Sequence, residues 1–226
     1  APVFRAEHHD TSRHLNEYIS MDFEMGFIDS FEDIMNMETG ALKYIMNLLK
    51  TEYANEVALL HADIPEITEI PTIRFMDAKE VIMKQFKYQP TDMKDFDPAE
   101  EEMLGKYAKK KFNSDFIFVT HYPSKKRPFY TMDDPEDPEY TLSFDLLFRG
   151  LEITSGGQRV HDYNEQVEKM KRLGMDPEQF DTYLMLHKYG APPHGGLAFG
   201  LDRLTMLLTG DDNIKDVIAF PKVKDA

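Results

Sequence analysis

The sequence of 226 residues has no cysteine and no tryptophan. Without thiols there can be neither a disulfide framework nor a zinc site built on cysteine. Positive charge is also short: 26 Lys and Arg stand against 41 Asp and Glu, a formal net charge of −15. A chain so acidic does not grip nucleic acid over its whole surface, because neutralising phosphates takes clustered cations, and a DNA partner is not expected. Two short basic runs, Lys109-Lys-Lys111 and Lys125-Lys-Arg127, read first as solvated faces and turns, with a local patch as the alternative. No apolar run approaches the length of a membrane span and no signal peptide precedes Ala1, so a soluble, cytoplasmic protein without a membrane partner is expected. Internal repeats and low-complexity segments are absent as well. What is present, 42% hydrophobic and 30% charged residues, suffices for one large domain or two small ones with a sizeable core.

The most informative stretch is Gly150-Leu-Glu-Ile-Thr-Ser-Gly-Gly-Gln-Arg-Val-His161. It reads as an apolar strand running into a glycine pair, with Glu152, Ser155 and Arg159 lining one concave surface. Asp145 stands seven residues before Glu152 on the same apolar run, so two carboxylates could converge on a divalent cation, and oxygen ligands of this kind suit magnesium. An ordinary strand with a Gly-Gly turn is the alternative. Near the start, Arg5, Glu7, His8, His9, Arg13 and His14 crowd a short strand at 3–7 and the polar loop after it. Arginines beside a carboxylate suit an anionic ligand such as a nucleoside triphosphate, whereas adjacent histidines point apart and make a poor metal site. Asp22 and Glu24 share one side of a period-two strand, facing either a substrate ammonium or solvent.

Apolar spacing predicts a long helix over 30–55 opened by Ser30 and Asp33, a connector over 64–75, and a helix from Asp77 to Phe86. Asp97-Pro98 with Glu100 starts another helix reaching Lys111, by the preferences of helix starts. Strands are expected at 115–121, 127–132 and 140–154, the last two paired antiparallel across the turn at 133–138. Helices at 161–173 and 177–187 break at Gly174, and a glycine-rich loop leads into a last helix carrying Arg203. Strands in runs with helices elsewhere argue for an α+β fold.

Three stretches, Phe4-Arg-Ala-Glu7, Gly150 to Arg159, and Pro193-His-Gly-Gly with Gly200-Leu-Asp-Arg203, together resemble the class II aminoacyl-tRNA synthetases. Within that class the chain is similar to the aspartyl family of archaeal and eukaryotic type. The resemblance implies an antiparallel sheet flanked by helices and an ATP-dependent ligase that forms aspartyl-adenylate and charges tRNA(Asp), with tRNA(Asn) left open. It implies Arg5 and Arg203 as catalytic residues. ATP would be held by Arg5, Ala6, Glu7, Arg13, His14, Leu15, Tyr18, Glu152, Gly200, Leu201, Asp202 and Arg203, with adenine between Tyr18 and Arg203. Aspartate would be held by Arg5, Asp22, Glu24, Ser155 and Arg159, and magnesium by Asp145, Glu152 and Ser155. Homodimers are the family rule.

Departures from the pattern matter too. Neither the anticodon-binding barrel nor the first, dimer-forming motif precedes Ala1, so residues 1–226 are expected to be part of a catalytic domain carrying the second and third motifs only. Asp202 stands where glutamate is common, and the end keeps Phe220-Pro-Lys222 but not the arginine-rich finish of the archaeal type. Asparaginyl synthetases, and paralogues that act without tRNA or only regulate, are the alternatives.

Overall fold

The computed structural model of the chain describes residues 1–6 and 11–223. Its strands are β1 (Pro2–Phe4), β2 (Glu17–Gly26), β3 (Thr72–Arg74), β4 (Phe116–Thr120), β5 (Ser143–Phe148), β6 (Leu151–Gln158) and β7 (His194–Gly200). The helices are α1 (Glu32–Glu52), α2 (Ala54–Leu59), α3 (Phe75–Phe86), α4 (Pro98–Phe112), α5 (Tyr163–Arg172), α6 (Asp181–Lys188) and α7 (Leu201–Thr209). The strands form one sheet in the order β1-β2-β7-β6-β5-β4-β3, antiparallel throughout except for β3 beside β4. This is the expected α+β architecture, with one parallel edge added. Among the described residues, no helix is long and apolar enough to cross a membrane.

Continuous apolar runs, rather than alternation, mark strands covered on both faces. β4 and β5 are such strands, buried at every position. Ile34, Met35, Leu42 and Met46 of α1 pack on Phe116, Phe118, Phe144, Leu146 and Phe148. On the opposite face α3 and α4 bring Phe75, Ile82, Leu104 and Tyr107 against Ile117, Val119 and Leu147. The helix start expected at Asp97-Pro98 with Glu100 is a capping box formed in both directions. Glu100 also meets Lys79 at 2.6 Å in a fully buried ion pair, and Lys79 Nζ donates to the carbonyls of Asp92 and Asp95, so α3, α4 and the loop between them are locked together.

Several boundaries differ from expectation. The long first helix breaks at Tyr53, and the helix attributed to Asp77 already begins at Phe75. Residues 127–132 form no continuous strand, since Pro128 cannot donate to a ladder, and an isolated bridge of Thr131 with Arg159 is what remains. The run at 140–154 is a hairpin, β5 and β6, reversed at Arg149 and Gly150, which both have positive φ. The largest difference lies in the glycine-rich tail, which forms strand β7, paired between β2 and β6, and not a loop. A Cβ on Gly196 would fall 2.2 Å from the Phe23 carbonyl oxygen, so glycine is what lets β2 and β7 pair there.

Candidate functional site

β2, β7, β6 and β5 lie side by side and make a floor from which the polar side chains rise. Alternation along β2 sets Ser20, Asp22 and Glu24 on the open face, while Phe23 and Met25 join the core. On β6 the three-residue spacing of Glu152 and Ser155 would put them on opposite faces of a regular strand. A register shift opposite Leu146 and Leu147 corrects this, pairing Leu146 with Thr154 but Leu147 with Glu152. Glu152 and Ser155 thereby meet, Ser155 Oγ donating to Glu152 Oε1 at 3.1 Å and to Asp145 Oδ1 at 2.7 Å. Asp145 is the direct cross-strand partner of Ser155 rather than a neighbour on one strand.

Two cavities share this floor. The first, of about 300 Å³, is lined by Arg13, His14, Tyr18, Glu152, Asp202 and Arg203, with Leu15, Gly200 and Ser20 beneath them. The second, of about 660 Å³, is lined by Asp22, Glu24, Arg127, Tyr130 and Arg159. Arg5, Ser155 and Ala198 border both. Ala6, Leu201 and the buried Asp145 do not line either cavity, and Glu7, with His8 and His9, lies outside the described residues.

In the first cavity Arg203 Nη1 donates to the Glu152 carbonyl at 2.8 Å, and Asp202 Oδ2 accepts from the Ile19 amide at 3.0 Å, tying α7 to β2. Arg5 lies over the Tyr18 ring, 5.5 Å from the centroid. Glu152 is pushed up to about 7, first by burial and then by the charge of Asp145, against the pull of Arg203 and Arg127. Two desolvated carboxylates side by side are an arrangement that a divalent cation relieves. Among the described residues no third carboxylate or imidazole completes a metal-holding set, so a cation here would depend on substrate phosphates and water, as magnesium commonly does.

In the second cavity Arg159 is held edge-on by Glu24, Nε to Oε1 at 2.8 Å and Nη2 to Oε2 at 3.2 Å. That leaves Nη1 and the outer edge of the guanidinium fork free for another carboxylate. Ser20 Oγ donates to Asp22.

Three residues of the site escaped the sequence reading. Arg127, assigned there to a basic turn, pairs with Asp145 at 2.7 Å and lies 3.9 Å over the Tyr122 ring. Burial alone would loosen its proton, but Asp145 outweighs that and holds the guanidinium charged. Tyr122 itself is buried, its hydroxyl pushed well up by burial and by Asp145. Glu101 on α4 reaches Arg13 at 3.2 Å and is pushed up to about 7 by burial, then by Glu152. A signal for Glu101 existed: it shares the helical face of Leu104 and Ala108, three and seven residues on, which are buried.

The family model "tRNA synthetases class II (D, K and N)" matches residues 1–224. The chain belongs to this family. Among curated relatives of this class II tRNA synthetase, "Aspartate--tRNA(Asp/Asn) ligase" of Thermus thermophilus is 48% identical over 98% of the chain and 52% of the relative. The protein of the same name from Deinococcus radiodurans is 45% identical over 98% of the chain and 52% of the relative. A solved aspartyl-tRNA synthetase from Entamoeba histolytica superposes with a TM-score of 0.92 at 32% identity, covering 100% of this chain and 47% of that one. The chain thus spans about half the length of the relatives it matches.

Proposed function

We propose that this synthetase chain activates L-aspartate with ATP and transfers it to tRNA(Asp). The observation that carries the reading is the pair of cavities meeting at Arg5 and Ser155, one with a phosphate-binding cast and one presenting a free guanidinium edge. ATP would occupy the first, its adenine against Tyr18, its outer phosphates toward Arg13 and His14, with Arg203 alongside. Aspartate would occupy the second, its side-chain carboxylate on the open edge of Arg159 and its ammonium toward Asp22 and Glu24. Asparagine offers Arg159 a neutral amide with one acceptor oxygen, so the same fork favours aspartate.

An oxygen of the aspartate α-carboxylate attacks the α-phosphorus, and the bond from that phosphorus to the bridging oxygen of the pyrophosphate breaks. Arg5, standing between the cavities, stabilises the charge on the equatorial oxygens as it develops. A terminal ribose hydroxyl of the tRNA then attacks the aspartyl carbonyl and AMP departs. The protein need not form a covalent bond; placing the reactants supplies much of the rate. Asp145, Glu152 and Ser155 would hold magnesium, which would supply positive charge to the polyphosphate.

The proposed enzyme works in the cytoplasm as a homodimer. The Thermus and Deinococcus relatives are named for tRNA(Asp/Asn), which favours tRNA(Asn) as a second acceptor. The Arg159→Leu variant tests the aspartate pocket. Calorimetry with a non-reactive ATP analogue present should show aspartate binding weakened at least about 100-fold and the preference over asparagine gone, the scale of a lost bidentate charged pair. An unchanged preference would refute the role given to Arg159.

A further inference from the structure

Behind the β5–β6 hairpin, whose Glu152 and Ser155 line the first cavity, packs an element that carries none of the motif residues. Helix α4 begins at a reciprocal capping box between Asp97 and Glu100 and is pinned there by the buried Lys79–Glu100 pair. One turn later it lies directly on the hairpin that supplies Asp145, Glu152 and Ser155. A Cβ on Gly105 would fall 2.5 Å from the Gly150 amide nitrogen, and one on Gly150 would fall 2.8 Å from the Glu102 Cα. Two glycines therefore bring the first turns of α4 to backbone contact with the β5–β6 turn. Glu101 sits in this contact zone, with only 16% of its side chain exposed, and its carboxylate points to the loop that precedes β2.

Among its described residues, that loop is tied mainly through its backbone. Ser12 accepts from the Ile214 amide at 2.9 Å, the Asn16 amide donates to Lys222 at 2.8 Å, and Thr11 Oγ1 meets His14 Nδ1 at 2.6 Å. None of these bonds holds the Arg13 guanidinium. Its ion pair in this structure is with Glu101, Nη1 to Oε2 at 3.2 Å, while Arg13 still lines the cavity. A guanidinium has five donors, so one bond to Glu101 leaves the rest for a ligand.

We propose that Glu101 is a positioning residue that holds Arg13 in its ligand-ready place before the nucleotide arrives. The inference rests on the nucleotide reading of the first cavity. By fixing a long side chain in advance, Glu101 removes ordering that binding would otherwise have to supply. Its effect reaches only ligands that use Arg13, which means those with β- and γ-phosphates. A purely structural role in seating α4 would instead weaken every nucleotide alike.

The test compares the wild type with Glu101→Gln, which keeps shape, Glu101→Ala, which removes the contact, Arg13→Ala, and the double variant Glu101→Gln with Arg13→Ala. Calorimetry with ATP and with AMP should show ATP weakened about twofold to fivefold in Glu101→Gln, the upper range for an ion pair that solvent still reaches. AMP should be unaffected, Glu101→Ala should lose more, and Glu101→Gln should add nothing once Arg13 is gone. Equal losses for ATP and AMP, or additive losses in the double variant, would overturn the proposal. A ligand-free arm separates it from the nucleotide reading. Modification of Arg13 by phenylglyoxal, followed by mass spectrometry, should run faster in Glu101→Gln than in the wild type. An unchanged rate would overturn the positioning role whether or not ATP binds, whereas a wild type that binds no ATP while Glu101→Gln exposes Arg13 would fault the nucleotide reading alone and confine Glu101 to holding the loop.

Discussion

Glu38 stands on α1 with 1% of its surface exposed, and neither of its carboxyl oxygens has a hydrogen-bond partner among the described residues. Burial pushes it up to about 8; the nearby Thr154 hydroxyl pulls back, and the charge of Asp145 adds to the rise. The native chain therefore holds Glu38 neutral at pH 7, while the unfolded chain ionises it from about 4.5. The penalty on the native state is absent below that value, grows as pH rises, and is complete above about 8. A shift of this size corresponds to on the order of 5 kcal/mol. Glu38→Gln should therefore stabilise the fold at pH 8 far more than at pH 4.5, read from denaturant midpoints at the two values; equal changes at both would contradict the burial account. Residues legible in the sequence were those whose partners are local or patterned, such as Asp22 and Glu24 on one strand face. Arg127, Glu101 and Glu38 were not, because their roles come from partners brought in by other elements, and a charge run such as Glu100-Glu-Glu102 reads as solvated until packing is known.

At the scale of elements, α4 was legible to within a residue because its start is written locally, in the capping box and the proline at its first position. What it packs against was not. Gly105→Ala isolates that packing. Helix propensity favours alanine by about 1 kcal/mol, but the new Cβ would meet the Gly150 backbone at 2.5 and 2.7 Å, where no flexible side chain can give way. Overpacking of this kind costs roughly 1–3 kcal/mol or more. The net expectation is a destabilised protein whose denaturant midpoint falls, and a midpoint that rises would mean α4 does not rest on the hairpin. The glycine-rich strand β7 was missed for a related reason. Strands are recognised by the alternation of side chains, and Gly195, Gly196 and Gly200 present none. The bulge that turns Glu152 toward Ser155 is likewise invisible in a sequence, since only the pairing register of β5 and β6 creates it.

At the scale of the molecule, one sheet covered by α1 on one face and by α3 and α4 on the other leaves the β2, β7, β6 and β5 end open for two adjoining cavities. The α+β class followed from runs of strands with helices elsewhere and the family from three motifs, while the two cavities that meet at Arg5 and Ser155 needed the folded chain. The central claim is that these cavities bring ATP and aspartate together without a covalent enzyme intermediate and prefer aspartate to asparagine. ATP–pyrophosphate exchange, run with each amino acid in turn and with and without tRNA, tests it most directly. The account predicts exchange supported by aspartate alone, without tRNA, and none above background with asparagine. Exchange driven by asparagine in place of aspartate, or by neither amino acid, would contradict it.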